Sequence, residues 1–380
     1  MSVLSEPFKM KGLSLKNRIT MAPLYLGYAG RDGAVNQLVL DHYRAMGASG
    51  AGLIVVENAA VDPLGLGSPL TLGVHDDRFS PGLAQLAETV KQEGAAVFLQ
   101  INHAGRYAFL PDKIAPSPVP TWGVVPREMD EQDIIRVVEA FARAAARVKA
   151  AGFDGVEIHG GTGYLLSQFL SSRTNHRADS YGGSLDSRMR FPLEVIAAVR
   201  AAVGPEYPVG YRFLADELLP DGLKVEETLV FARRLASAGL AYLSVMAGTH
   251  DSFHTPENAA LERNEAYMAS YAGAVKKAVG ALPVITAGRI QHPETAERVI
   301  GEGQADLIGL ARVLLADPLW PRKALGQVPG PITACQPTCS LCYKRAGALK
   351  PVFCSQWTRE KRLAFLDMIG ETPEREEDKN

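Results

Sequence analysis

All four cysteines of this 380-residue chain lie in one short window, ACQPTCSLCYKRAGALKPVFC (334–354). Cys335, Cys339, Cys342 and Cys354 are spaced C-x3-C-x2-C-x11-C. Four thiolates in a single segment suit iron–sulfur ligation or tetrahedral zinc. Zinc sites commonly show two C-x2-C pairs. Here three cysteines cluster and the fourth follows at a distance, a layout that fits a [4Fe–4S] cluster better and leaves zinc as the other occupant. Clustered cysteines in a chain read as cytoplasmic point to metal or redox chemistry before disulfides.

The cytoplasmic reading rests on composition. Apolar residues make up 47% and charged residues 22%, and the net charge is -2 with both signs interspersed. That excludes a nucleic-acid footprint. No apolar run approaches the roughly 18 residues of a membrane helix, and MSVLSEPFKMKGLSLKNR lacks the layout of a signal peptide.

Eight short apolar runs must position any chemistry: ITMAPL (19–24), GLIVVE (52–57), AAVFLQI (95–101), DGVEIH (154–159), PVGYRF (208–213), YLSVM (242–246), PVITAG (283–288) and DLIGLA (306–311). Their continuous Val, Ile, Leu and Ala content reads as strands buried on both faces. Helical periodicity fills the gaps, clearest over 130–152 and 225–240. Strands alternating with helices in a chain of this length predict a (β/α)8 TIM barrel. A doubly wound sheet is the competitor, but no G-x-G-x-x-G follows the first strand. The barrel is expected over 1–330, a cysteine segment over 331–370, and a disordered tail over 371–380.

Barrel chemistry collects at the C-terminal strand ends. There the sequence places Pro23 to Tyr25, Glu57 and Asn58, Gln100 to His103, His159 to Tyr164, Arg212, Met246 to His250, Gly288 and Arg289, and Ala311 and Arg312. TAGRI and LARVLLADP, after strands seven and eight, each combine small residues with an arginine, as a phosphate site requires.

Read together, KNRITMAPL (16–24), LQINHAGR (99–106), the long NHRADSYGGSLDSRMRF stretch (175–191), VGYRF (209–213) and PVITAGRI (283–290) give a chain that strongly resembles the Old Yellow Enzyme family of flavin-dependent oxidoreductases over residues 3–330. The resemblance implies FMN at the barrel mouth. Pro23, Leu24, Tyr25, Asn58, Gln100, His159 and Arg212 would surround its ring, and Gly288, Arg289, Ala311 and Arg312 its phosphate. It also implies that His159 and Thr162 hold a substrate carbonyl oxygen while Tyr164 protonates the adjacent carbon. Thr162 stands where many members carry a second histidine or an asparagine, so the donor there is a neutral hydroxyl. Tyr25 stands where relatives place cysteine or threonine. His103 and His176 are expected to organise loops, and His250 and His254 to lie on a substrate loop or face solvent.

The cysteines resemble those of the branch containing 2,4-dienoyl-CoA reductase and trimethylamine dehydrogenase, although the common form there begins C-x2-C. Those relatives continue into nucleotide-binding domains, for which this sequence has no room. The expected function is therefore reduction of an activated C=C bond in an enone or enoyl thioester. NAD(P)H, or a separate ferredoxin or reductase feeding the cluster, would donate the electrons. Homo-oligomers are common among relatives. Alternatives are an amine dehydrogenase with reversed electron flow, using Tyr25, Tyr28 and Tyr164 as an aromatic pocket; a non-redox phosphate-binding barrel with a zinc staple; and a catalytically silent electron-transfer subunit.

Overall fold

A computed structural model describes residues 2–253, 255–336 and 338–372. His254 and most of the expected tail lie outside the described residues. Among the described residues, eight parallel strands close on themselves: β1 (Ile19–Met21), β2 (Leu53–Ala60), β3 (Ala96–Asn102), β4 (Gly155–Gly160), β5 (Val209–Leu214), β6 (Tyr242–Met246), β7 (Val284–Thr286) and β8 (Leu307–Leu310). Each pairs with its successor. Closure comes from Ile308↔Ile19, Gly309↔Thr20 and Leu310↔Met21 between β8 and β1, with Thr20↔Leu53 carrying β1 to β2. Every residue of β2 is buried, as a strand covered on both faces requires.

Helices α1 (Gln37–Gly47), α2 (Ser80–Gln92), α3 (Glu131–Ala150), α4 (Leu185–Val203), α5 (Val225–Ala236), α6 (Ala269–Val279), α7 (Pro293–Gly301) and α8 (Arg312–Ala316) follow the strands in order. The fold is a (β/α)8 barrel. Helix α3 illustrates why these segments are helical. Asp130 and Asp133 form a reciprocal capping box, Arg147 and Lys149 face the negative helix end, and Ile134, Val137, Phe141, Ala144 and Val148 form one buried stripe.

Barrel packing depends on glycine at two strand positions. A Cβ on Gly155 would stand 2.2 Å from the Phe98 ring, and one on Gly210 the same distance from the Tyr242 ring. These rings, with Met10, Leu15, Leu53, Ile285 and Leu307, form a separate cluster where the strands begin. A hairpin of Phe8–Met10 and Leu13–Leu15 supplies two of its members. Sequence periodicity over three-residue strands is too short to reveal that hairpin.

After α8 the chain runs on to α9 (Leu341–Gly347) and α10 (Arg359–Met368). This segment is fixed to the first and last barrel strands. Val352 N–H donates to the Leu26 carbonyl at 2.8 Å, and the Tyr28 hydroxyl donates to the Val352 carbonyl. The Trp357 indole donates to the Leu315 carbonyl at 2.7 Å. Phe353, Trp357 and Phe365 pack together, and Phe365 meets the Tyr28 ring at 5.6 Å. Tyr28 therefore lies buried beneath the segment, not in a mouth pocket as the amine reading required. No described helix is long and apolar enough to cross a membrane.

Gly155→Ala should lower stability by about 1–3 kcal/mol through overpacking against Phe98. The urea midpoint measures this, and an unchanged midpoint would contradict the packing described.

Candidate active site

The floor of the barrel mouth is a set of buried polar groups that satisfy one another. Glu157 on β4 is fully buried. It accepts from Gln100 Nε2 at 2.7 Å and from the Tyr242 hydroxyl at 2.8 Å. Burial raises its pKa, and the nearby Arg212 guanidinium opposes that rise. Arg212 is level in register with His159 on one side and Ser244 on the other. It donates to Ser244 Oγ at 2.7 Å, yet forms no ion pair among the described residues. Burial lowers its pKa while Glu157 supports its charge. The interior thus holds a cation whose remaining donors are uncommitted. Such a site fits a ring system whose reduced form carries negative charge. One N–H of the Gln100 amide is committed to Glu157, which leaves its second N–H and its carbonyl oxygen.

His159, Thr162 and Tyr164 do come together at the end of β4. His159 Nδ1 accepts the Gly161 N–H at 3.2 Å, which leaves the ring proton on Nε2. Nε2 lies 3.5 Å from Thr162 Oγ1. Burial, reinforced by Arg212, holds the His159 pKa well below the ordinary value, so the ring is a neutral donor. Thr162 has φ 60°, uncommon for a β-branched residue, between Gly161 and Gly163. The Tyr164 ring meets His159 edge-on at 5.0 Å. Burial raises its pKa well above the phenol norm, although part of the side chain opens onto the mouth. From the loop after β1, Tyr25 bonds Ser68 Oγ at 2.6 Å, and burial pushes its phenol up to about 12. Pro23 and Leu24 precede it half-buried, and Asn58 is buried at the end of β2.

The strand-end loops after β7 and β8 place Gly288 (φ 97°) and Arg289 (φ 56°) in the left-handed region, with Ala311 as the N-cap of α8. Arg312 does not stand apart at a phosphate. It lines one hollow with Leu315, Phe353 and all four cysteines. Burial lowers its pKa, while Cys335, Cys342, Glu262 and Tyr267 together raise it above the ordinary value. Burial raises Cys335 and Cys342, and pushes Cys354 to about 11, with Arg312 pulling the first two back. Cys354 Sγ accepts the Gln356 N–H at 3.4 Å, and Cys339 Sγ lies 3.0 Å from Ser355 Oγ. Among the described residues, no three His, Cys, Asp or Glu side chains converge as a single-ion site.

The long 175–191 motif is scaffolding. Asn175 Nδ2 donates to the Phe169 and Tyr181 carbonyls, Arg177 to those of Pro116 and Met129, and Ser184 caps α4. His103 is buried and accepts the Gly105 N–H, and His176 is exposed. His250 lies in a ring cluster with Tyr107, Trp122 and Tyr164. Sequence reasoning placed Glu57 at a strand end but missed Ser244 and Tyr242 as partners in the site. A serine inside an apolar strand was the available signal.

The closed barrel, its unpaired interior cation and the neutral donors above it define a flavin-type oxidoreductase. Residues 3–330 match the NADH:flavin oxidoreductase / NADH oxidase family, and the chain belongs to that family. An old yellow enzyme homologue from Zymomonas mobilis superposes with a TM-score of 0.74 at 27% identity, over 88% of this chain and 94% of that one. The chain is 43% identical over 326 residues to the NADH oxidase of Thermoanaerobacter brockii, covering 83% of this chain and 50% of that one. It is 42% identical over 374 residues to the metal reductase of Desulforamulus reducens, covering 97% and 55%. The chain thus spans about half the length of these curated relatives. A 2-naphthoyl-CoA reductase complex superposes with a TM-score of 0.89 at 28% identity, over 94% of this chain and 57% of that one.

Glu57 lies within β2, where the pairing with β3 shifts register between Val56 and Ala59. Oε2 accepts from the Leu26 N–H at 3.1 Å, the Gly27 N–H lies nearby, and Oε1 has no partner among the described residues. Burial pushes its pKa to about 8, against a reference of 4.5, with the two N–H groups opposing. A raised folded pKa adds stability that is complete below pH 4.5 and lost as pH rises through about 8. Glu57→Gln should therefore gain stability relative to the parent between pH 5 and pH 9, on the order of 1–3 kcal/mol. Urea midpoints at the two pH values check this. An equal difference at both would mean that Glu57 is ionised throughout.

Proposed function

We propose that the protein uses FMN to reduce an electron-poor C=C bond in an enone or enoyl thioester. The observation that carries this reading is the neutral His159 Nε2–H, with the Thr162 hydroxyl and the Tyr164 phenol, gathered at the end of β4 beside unpaired Arg212. Pro23, Leu24, Tyr25, Asn58, Gln100, His159 and Arg212 would enclose the flavin ring, with Arg212 beside the edge that becomes anionic. Gly288, Arg289 and Ala311 would cradle the phosphate through backbone N–H groups, with Arg312 as its outer cation. When bound, FMN supplies a hydride to the β-carbon. His159 Nε2–H and Thr162 donate to the carbonyl oxygen, where enolate charge develops. Both donors are neutral, so the substrate must be activated by its own conjugation. The Tyr164 hydroxyl then passes its proton to the α-carbon, and solvent restores it. One hydride and one proton complete the saturated product.

NAD(P)H is the proposed reductant in keeping with the family: its hydride carries the two electrons each turnover needs, and solvent supplies the proton through Tyr164. We further infer that the cysteines hold a [4Fe–4S] cluster that relays electrons, with a separate ferredoxin or reductase as one source. Four thiols around one hollow, a backbone N–H on Cys354 Sγ and a cation alongside support a cluster that gives each thiolate its own iron. Tetrahedral zinc is the other occupant that four thiolates suit.

Tyr164→Phe should lower turnover of an enone about 10²–10⁴-fold while flavin is retained. Full turnover would remove the phenol from proton transfer. Cys339→Ser should reduce iron and acid-labile sulfide in anaerobically purified protein well below four per chain, with FMN content preserved. Iron-free parent protein that binds one zinc would refute the cluster.

A further inference from the structure

The loop joining β3 to α3 carries features that the reaction at β4 does not use. Thr121 and Val124 exchange backbone hydrogen bonds at 2.9 and 3.0 Å, so Trp122 and Gly123 form a two-residue turn. Both have positive φ, 51° and 77°. Such a turn favours Asn-Gly, and a tryptophan at its first position is strained. The strain presents the indole to solvent at 69% exposure. Thr121 Oγ1, beside it, is buried without a partner. The turn is anchored by Arg106, which donates to the Pro120 carbonyl at 3.4 Å and to the Tyr107 hydroxyl at 2.7 Å. Asp251, from the loop after β6, accepts from Arg106, Tyr107 and Arg173.

Two properties of this construction point to a ligand. First, rings run inward from the surface to the proton donor: Trp122 to Tyr107 at 5.2 Å, Tyr107 to His250 at 4.7 Å, and His250 to Tyr164 at 5.2 Å. Second, Lys113 is 4% exposed and holds its ammonium 5.8 Å from the Trp122 ring centroid, with no ion pair among the described residues. Arg106 has its own carboxylate. Lys113 does not, so its ammonium beside the indole is left to take an anion from outside.

We propose that Trp122 and Lys113 form an outer subsite for the far end of the substrate. Its ligand is an extended conjugated molecule with a planar apolar part against the indole and an anionic group at Lys113. The activated C=C bond lies at one end of the ring row and the anion at the other. Carboxylate and phosphate share this chemistry. A carboxylate would belong to the acyl part, and a phosphate to the nucleotide end of a thioester. The inference rests on the ene-reductase reading and adds its substrate class.

The holoenzyme tests it with benzylideneacetone, the para-carboxyl derivative of that ketone, and cinnamoyl-CoA. In Lys113→Gln the ratio of kcat/KM for an anionic over the neutral substrate should fall about tenfold, and Lys113→Arg should restore it. A fall shared by the para-carboxyl ketone assigns the anion to the acyl part. A fall confined to cinnamoyl-CoA assigns it to the nucleotide. Titration with the para-carboxyl ketone should also quench a fluorescence component that is lost in Trp122→Phe. Unchanged ratios would overturn the subsite. So would a defect limited to the KM for NADPH, or indole emission that follows protein concentration instead of ligand. If the parent reduces no enone at all, the ene-reductase reading fails, and the fluorescence titration still judges the subsite.

Discussion

The barrel mouth depends on one buried carboxylate. Glu157 sits in the interior, where an unmatched charge would be prohibitive. It is held by a β3 amide and a β6 phenol while Arg212 on β5 shares the same low-dielectric space. Three strands are thereby tied to β4 by polar groups in an otherwise apolar interior. The geometry above follows from that arrangement. Arg212 keeps its charge with a hydroxyl but no carboxylate in direct contact, His159 beside it is kept neutral, and burial raises the Tyr164 phenol. Each of these shifts comes from burial acting on groups whose positions the strands fix.

Much of this was legible in the sequence. The eight apolar runs match the eight strands because parallel strands buried on both faces leave a continuous hydrophobic signature. Helical spacing over 130–152 gave α3 for the same kind of local reason, while its Asp130 cap emerged only from the structure. The β4 triplet was legible through the family pattern around IHGGTGYL. What escaped were relations between distant segments. No local signal says that Gln100 commits an amide N–H to Glu157, or that Tyr28 turns away beneath the cysteine segment. Arg312 illustrates the limit well. Its position after β8 pointed to phosphate, but the chain that returns past residue 334 brings Cys335 and Cys342 against the same guanidinium. Side-chain position followed from the strand, and charge environment from tertiary packing.

Arg312 consequently stands where two chemistries meet. A phosphate held after β7 and β8 and a metal centre held by the cysteines would both draw on one cation. The thiols on the far side of Arg312 stay protonated on their own account because burial dominates their titration. Only a ligand that takes the sulfurs as thiolates would reverse that balance, and the arginine already offers part of the compensating charge.

The attachment of the cysteine segment has a bearing on closure of the barrel. Its walls come from Arg312 and Leu315 after β8, and its anchors from Leu26 and Tyr28 after β1. These are the last and first strands of the barrel, adjacent in space only once the sheet has closed. Bringing together segments so far apart in sequence carries a loop-closure cost. An open sheet would separate the hollow's wall from its anchors, so the four thiols share one hollow only where β8 meets β1.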